Sequence, residues 1–351
     1  MSASGERAVP SLFSKDDILT ARGIGIVAVV LGHIGVFYSI PNMYFWHIPL
    51  FFFLSGVGFL SQHSFLKTIR HVIVDILLYL WVWTVIYGVV LWALDPLMPE
   101  ANFVFANEPW LSVMSVYIIT FNSHAIGFLA PCWFLLAYAA VVVICAPVMR
   151  VVPRYLLTPL GVLALVAGWQ LGTVDGLALG AWRRVLVGQS LLGAGYCLLG
   201  AAFFSSAKAQ ALATRPVTAM VSLLAIVWVL SAIQPKPLNI AWLALDPNIL
   251  AVCVVTFAGI HLALVLARSL QNFAPLRVLG RESKAIMTHH LLGFALINVC
   301  VLALGRIKLD GLHAYSLFRP EVMWPAYLVV GLLLPLGIVR VSSRLSGPLR
   351  L

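Results

Sequence analysis

Charge is scarce in this sequence. Asp, Glu, Lys and Arg make up 10% of its 351 residues, where a soluble domain carries roughly 25%. With 62% hydrophobic residues and a mean hydropathy of +1.01, the chain cannot cover itself with a solvated surface. It reads as an integral membrane protein. Cysteine is sparse and unpatterned. Cys132, Cys145, Cys197, Cys253 and Cys300 fall in apolar segments at spacings that fit neither a metal site nor a secreted disulfide framework. They are expected to be small core residues, and no metal is expected. No repeat, low-complexity tract or soluble domain interrupts the apolar pattern, so the chemistry has to be done within a helix bundle and its loops. The first apolar run, Ile18 to Tyr38, is too long for a signal h-region and has no small-residue cleavage site behind it.

What the chain has instead is hydrophobic length. Stretches near spanning length fall at about 18–38, 43–62, 72–94, 128–147, 156–172, 185–204, 216–233, 248–267, 285–304 and 323–340, which predicts an all-α bundle of about ten transmembrane helices. The segment 110–121 is too short to span and is expected at an interface or as a re-entrant loop. Residues 1–17 read as a cytoplasmic tail, 18–340 as the transmembrane domain and 341–351 as a second cytoplasmic tail. Ser14 followed by Asp17 is a capping-box signal for the first helix. Of the 22 basic residues, fifteen fall on the side shared by the two termini and six on the other, with Arg22 at the inner edge. That bias puts both termini in the cytoplasm and accounts for the net charge of +10 without a nucleic-acid partner. The basic outer residues Arg183, Arg184, Arg306, Lys308 and Arg319 run against the rule and suit an anionic polysaccharide.

Arg22 and His33 are the polar residues that stand out. Eleven steps of about 100° bring them back to one helix face, roughly 16 Å apart along the axis. Such side chains are costly in lipid and face a protein interior or a watery path, where they mark functional sites by default. Arg22 suits a phosphate held by charge-assisted hydrogen bonds, and a neutral His33 suits a base acting on a hydroxyl. The run from Gly23 to Ala28 also matches the G-x-G-x-x-A dinucleotide fingerprint. That motif needs a preceding strand, so within a membrane helix it is rejected. Gly25, Ala28, Gly32 and Gly35 beside the stripe are expected to serve close helix packing.

Two further stretches draw notice. FWHIPLFFFLSG, residues 45–56, places His47 near the outer surface, while Phe51, Phe52 and Phe53 read as lipid-facing or core bulk and Ser55 and Gly56 as close-packing residues. LGRESKAIMTHH, residues 279–290, puts Arg281 and Lys284 where an anion or topology alone would place them, and it buries His289 and His290. His261 reads as structural, His63 and His71 as surface residues, and His124 and His313 as loop residues. Asp75 is expected to pair with Arg70 or Lys67.

Taken together, these stretches resemble the acyltransferase 3 family of polytopic membrane acyltransferases, most closely its sugar and exopolysaccharide O-acetylase branch. DILTARGIGIVAVVLGH (17–33), HIPLFFFLSG (47–56), PCWFLLA from Pro131 and LGRESKAIMTHH occur in family order across most of the chain. The resemblance implies transfer of an acyl group, usually acetyl, from cytosolic acyl-CoA to a glycan hydroxyl at the outer face of a bacterial inner membrane. It implies no permanently bound cofactor, acetyl-CoA as donor substrate, and the bilayer and polysaccharide biosynthesis machinery as partners. By motif position Arg22 and His33 would be the essential pair, and His47, Ser55, Gly56, Trp133, Ser283 and His290 would match other motif positions. Arg22, Lys67, Arg70 and Arg281 would hold the nucleotide phosphates. A departure is the absence of a proline after the basic residues that follow the second helix. The competing reading is a transporter or flippase of a glycan or lipid intermediate, with the buried charges lining its path. Against it, no inverted repeat is visible.

Overall fold

Helix α1 (Lys15–Ile34) starts where its cap dictates. The Ser14 backbone N–H and hydroxyl donate to Asp17 Oδ2, and the Asp17 N–H donates back to Ser14 Oγ. Asp16 and Asp17 in the first turn complement the positive helix end. Gly35 stops the helix at φ 78°, a left-handed conformation that a side chain would strain. The computed structural model describes residues 12–35, 43–59, 65–94, 127–173, 181–307 and 317–345. The segment 110–121, His63, His124 and His313 lie outside them.

Around α1 stand α2 (His47–Phe59), α3 (Phe65–His71), a π-helical turn (Val72–Leu78), α4 (Tyr79–Leu94), α5 (Trp133–Val151), α6 (Leu157–Thr173) and α7 (Ala181–Phe204). Then follow α8 (Ala207–Ala213), α9 (Pro216–Ala232), α10 (Ile249–Ser269), α11 (Ala274–Arg281), α12 (Ser283–Ala303) and α13 (Pro320–Leu345). No strand occurs among the described residues. Among the described residues eight helical spans are long and apolar enough to cross a membrane, or nine if α8 and α9, bent by 70°, count as one.

Within the interval 43–62 the described helix α2 is shorter than a full span. At 13 residues α2 is about 20 Å long, short of the roughly 30 Å hydrocarbon core. Its neighbours compensate by enclosing it. Phe51, Phe52 and Phe53 are all buried, the first two against Phe134 and the third against Phe203 and Phe204. They are core, not lipid-facing. The span predicted from residue 72 starts earlier, at Phe65, and runs through the π-helical turn into α4. The last helix continues past 340 to Leu345.

Two glycine crossings fix the middle of the bundle. A Cβ on Gly56 would lie 2.4 Å from the Ala201 nitrogen, and one on Gly200 would lie 2.0 Å from the Phe53 oxygen, so α2 and α7 touch backbone to backbone. At the N-terminal end of α1, a Cβ on Gly280 would sit 1.8 Å from the Leu19 oxygen, and one on Gly23 would sit 2.1 Å from the Leu276 oxygen. The short α11 is thereby seated on α1. α1 also packs against α2, α10, α12 and α13, which makes it the central helix.

Candidate functional site

The far end of α1 meets α12. His33, partly exposed, and His290, fully buried, face each other with ring centroids 5.0 Å apart and planes at 44°. His47, buried at the start of α2, lies within electrostatic reach of His33. Its Nδ1 bonds the Met43 carbonyl, and Tyr44 stands edge-on at 5.2 Å while its hydroxyl donates to the Gly32 carbonyl at 3.1 Å. Three histidines that the sequence scatters over 258 positions thus converge on one place. The Gly25 and Gly32 surfaces receive Phe51 and Tyr44 respectively, so these glycines do serve packing.

The paired His289 and His290 play different parts. A neutral imidazole has one donor and one acceptor nitrogen. Both nitrogens of His289 face tyrosines, with Tyr87 Oη 2.8 Å from Nδ1 and Tyr79 Oη 3.3 Å from Nε2, so one hydroxyl donates and the other accepts. Trp83 closes over the ring at 4.2 Å. His289 is therefore held in place with both nitrogens used. His290 donates from Nδ1 to the Ile286 carbonyl at 2.8 Å, which leaves the lone pair on Nε2; that buried nitrogen has no hydrogen-bond partner. Of the two, His290 is the one with a nitrogen left open to accept a hydrogen bond.

Tyr79, Trp83 and Tyr87 were missed in the sequence. Their spacing of four residues marks one face of α4, but aromatic stripes in a membrane helix are common enough that the signal had no target until α12 was placed beside it.

At the other end of the stripe, Arg22 lies within electrostatic reach of Tyr138 on α5, whose ring stacks on Phe134 at 6.0 Å. Two more buried polar atoms close by on α1, Asp17 Oδ1 and Thr20 Oγ1, have no hydrogen-bond partner. Unpartnered buried polar atoms are uncommon and call for an explanation. Here they sit at both ends of α1: near Arg22 at one, and beside His33, on His290, at the other.

The remaining predicted residues divide. Gly280 of the LGRES stretch seats α11 on α1, and the Arg277 guanidinium locks this contact by donating to Asp16 at 2.7 Å. Arg281 ends α11 and is exposed, and Ser283 opens α12. Lys67 and Arg70 lie exposed on α3, on a different helix from this α1–α11 contact. Asp75 pairs with His71, four residues before it, at 2.7 Å. Ser55 donates to the Phe52 carbonyl at 2.5 Å, and with Gly56 it belongs to the α2 packing. Trp133 opens α5 edge-on to Phe134, and the preceding Gly127–Cys132 turn packs against α12. His261 bridges the Ser222 hydroxyl and the Ala213 carbonyl, a structural role. Among the described residues no group of three or more His, Cys, Asp or Glu side chains is arranged to hold a metal ion.

No curated protein and no solved structure matches this chain. A family model described as an acyltransferase domain, that of acyltransferase 3, matches residues 16–340 and so takes in α1 through most of α13. The helix that carries Arg22 and His33 and the helix that carries His290 both lie within it, and the chain belongs to the acyltransferase 3 family of multi-pass membrane acyltransferases.

Proposed function

We propose that this protein is an O-acetyltransferase of the sugar and exopolysaccharide branch, with both termini in the cytoplasm of a bacterium and its bundle in the inner membrane. It moves acetyl from cytosolic acetyl-CoA to a glycan hydroxyl at the outer face. The observation that carries this reading is the convergence of His33, His290 and His47 at one end of the helix whose other end holds Arg22.

The chemistry follows from that geometry. Arg22, with Arg281 from the seated α11, holds the nucleotide phosphates at the cytosolic rim; Lys67 and Arg70 contribute from α3. An extended pantetheine arm covers the roughly 16 Å from Arg22 to His33. His33 takes the proton from the acceptor hydroxyl, whose oxygen forms a bond to the thioester carbonyl carbon. As the C–S bond breaks, the imidazolium returns that proton to the departing CoA sulfur. The bare Nε2 of His290 accepts a hydrogen bond beside the reacting hydroxyl and orients it. Direct transfer needs no acyl-enzyme. Asp17 Oδ1 and Thr20 Oγ1 gain polar partners from the donor.

The test is mass spectrometry of surface and secreted glycans from a deletion strain carrying either the wild-type or the His33→Ala gene. The expected result is full export of glycan that has lost its acetyl groups, with the variant inserted at normal levels. Normal acetylation in the variant would remove His33 from the chemistry. Lost export in the deletion strain would favour the transporter.

A further inference from the structure

A second cavity lies away from the histidine cluster. It is a groove of about 1060 Å³ between α4 and α13, floored by the start of α12. That is at the upper edge of the roughly 300–1,000 Å³ usual for small-molecule sites. Along its length the walls are apolar: Val82, Ile86, Leu333 and Ile338 are typical. Its mouth is exposed, with Leu333 at 58% and Ile86 at 41%, on helices that belong to membrane spans. In such a protein the surrounding solvent at this mouth is hydrocarbon, not water.

The polar groups are gathered at one end, where the C-terminal part of α13 meets the π-helical turn and the first turn of α12. Lys284 is the cation there. Its Nζ donates to the Asp75 carbonyl at 3.0 Å and sits 4.2 Å from the centre of the Tyr79 ring. The Asp75 carboxylate, half exposed among the lining residues, is engaged by His71 and, with Glu282, also lies within electrostatic reach of Lys284, so the polar end is mixed in charge. An ammonium has three protons, and one hydrogen bond leaves it able to donate further. The site therefore has a long apolar trough with one cationic donor at its end, which is the complement of an amphiphile carrying a phosphate.

We infer that this groove binds a glycerophospholipid laterally from the bilayer, its two acyl tails along α4 and α13 and its phosphate on Lys284. The volume agrees. If a methylene takes about the space of a water molecule, roughly 30 Å³, two tails of about sixteen carbons fill about 960 Å³. The groove shares Tyr79 and Trp83 with the shell around His289, so the lipid packs directly against the side chains that hold this histidine. The inference stands apart from acyl transfer and needs only a protein in a bilayer.

The experiment uses the full chain in phosphatidylcholine nanodiscs doped with phosphatidylglycerol bearing a diazirine in one tail, irradiated and mapped by mass spectrometry. Adducts are expected on Val82, Ile86 and Leu333 at several times the level on Leu224 and Trp228 of α9, apolar residues that are more exposed than any of the three. Gly337→Trp fills the groove, since nothing lies within 4 Å of a Cβ there, and should abolish the enrichment. Lys284→Gln should weaken labelling at least about tenfold at limiting probe, the loss expected for one charge-assisted hydrogen bond. A diazirine diacylglycerol, which lacks the phosphate, should label the unaltered protein as poorly. Even labelling of α4, α9 and α13 overturns the site, as does a groove signal unchanged by Gly337→Trp. Equal labelling by the diacylglycerol overturns the assignment of the phosphate to Lys284.

Discussion

Replacing Gly280 by alanine asks whether the seating of α11 on α1 matters as much as the geometry says. The new Cβ would lie 1.8 Å from the Leu19 oxygen and 2.9 Å from the Gly23 nitrogen. Both are backbone atoms, so no rotamer change relieves the clash. α11 has to retreat by about 1.6 Å before ordinary contact at 3.4 Å is restored. Forcing an extra carbon into a packed contact typically costs about 1–3 kcal/mol, and rigid partners put this case at the upper end. Alanine returns up to about 1 kcal/mol of helix propensity, leaving a net loss of about 2 kcal/mol, or roughly 3 °C in melting temperature for a chain of this length. The control is internal. Gly58 and Gly337 have nothing within 4 Å of a new Cβ, so alanine there should be neutral or slightly stabilising. Melting of the three purified variants in one detergent, followed by a thiol-reactive dye that reports the buried Cys132, Cys145 and Cys197, separates them. The retreat of α11 also carries Arg281 away from α1, so KM for acetyl-CoA should rise more than kcat falls. If Gly280→Ala melts with Gly58→Ala, the close approach of α11 is not a real constraint.

Thr20→Val removes a buried hydroxyl that has no hydrogen-bond partner, so melting should hold or improve; a raised KM for acetyl-CoA would place the donor against it, and an unchanged KM would not. Tyr87→Phe leaves His289 Nδ1 without its 2.8 Å partner and should cost about 1–3 kcal/mol in thermal stability, a loss readable by the same dye assay. Tyr327→Phe should be at least as damaging, because its hydroxyl receives the Phe318 N–H and donates to Asn298, joining α12 to α13. Arg277→Ala, by contrast, should shift melting by no more than about 1 kcal/mol, since its carboxylate partner is half exposed. Arg22→Lys keeps the charge but loses the planar fork, so a multifold rise in KM for acetyl-CoA is expected from steady-state kinetics.

The parts of this protein that are set by local spacing could be read from its sequence. The Ser14–Asp17 cap is one; another is the shared face of Arg22 and His33. Gly25 and Gly32 also serve packing as their pattern predicted, whereas Gly35, expected to do the same, ends the helix. His71 and Asp75 carry the spacing of a helical pair, so this pair is legible too, although Arg70 and Lys67 are the permanently charged neighbours. What could not be read was set by distant segments. α2 is apolar enough to face lipid, and only its enclosure by α1, α5, α7 and α10 shows that His47 to Ser55 are buried in protein. Gly280 looked like a motif letter until Leu19 was found against it.

The twin histidines show most clearly why a motif underdetermines a site. His289 and His290 are neighbours of one residue type, both buried, both on α12. Adjacent positions on a helix point about 100° apart, so one ring turns to α4 and the other to α1. What α4 offers is two hydroxyls and an indole, which use both nitrogens of His289 and fix it. α1 offers His33, and the Ile286 carbonyl takes the Nδ1 proton of His290, so that the lone pair of Nε2 is directed into a buried space with nothing to receive it. Leaving such an atom bare costs about 1–3 kcal/mol, a cost that a purely structural histidine has no reason to carry and that a bound hydroxyl would remove. The asymmetry therefore separates a histidine with both nitrogens used from one with an acceptor left open. His290→Gln, which keeps a polar group of similar reach but no basic nitrogen, should lower kcat while sparing both melting and KM for acetyl-CoA, whereas His289→Gln should lower melting first. Equal effects of the two changes on kcat and on melting would show that the two rings do one job.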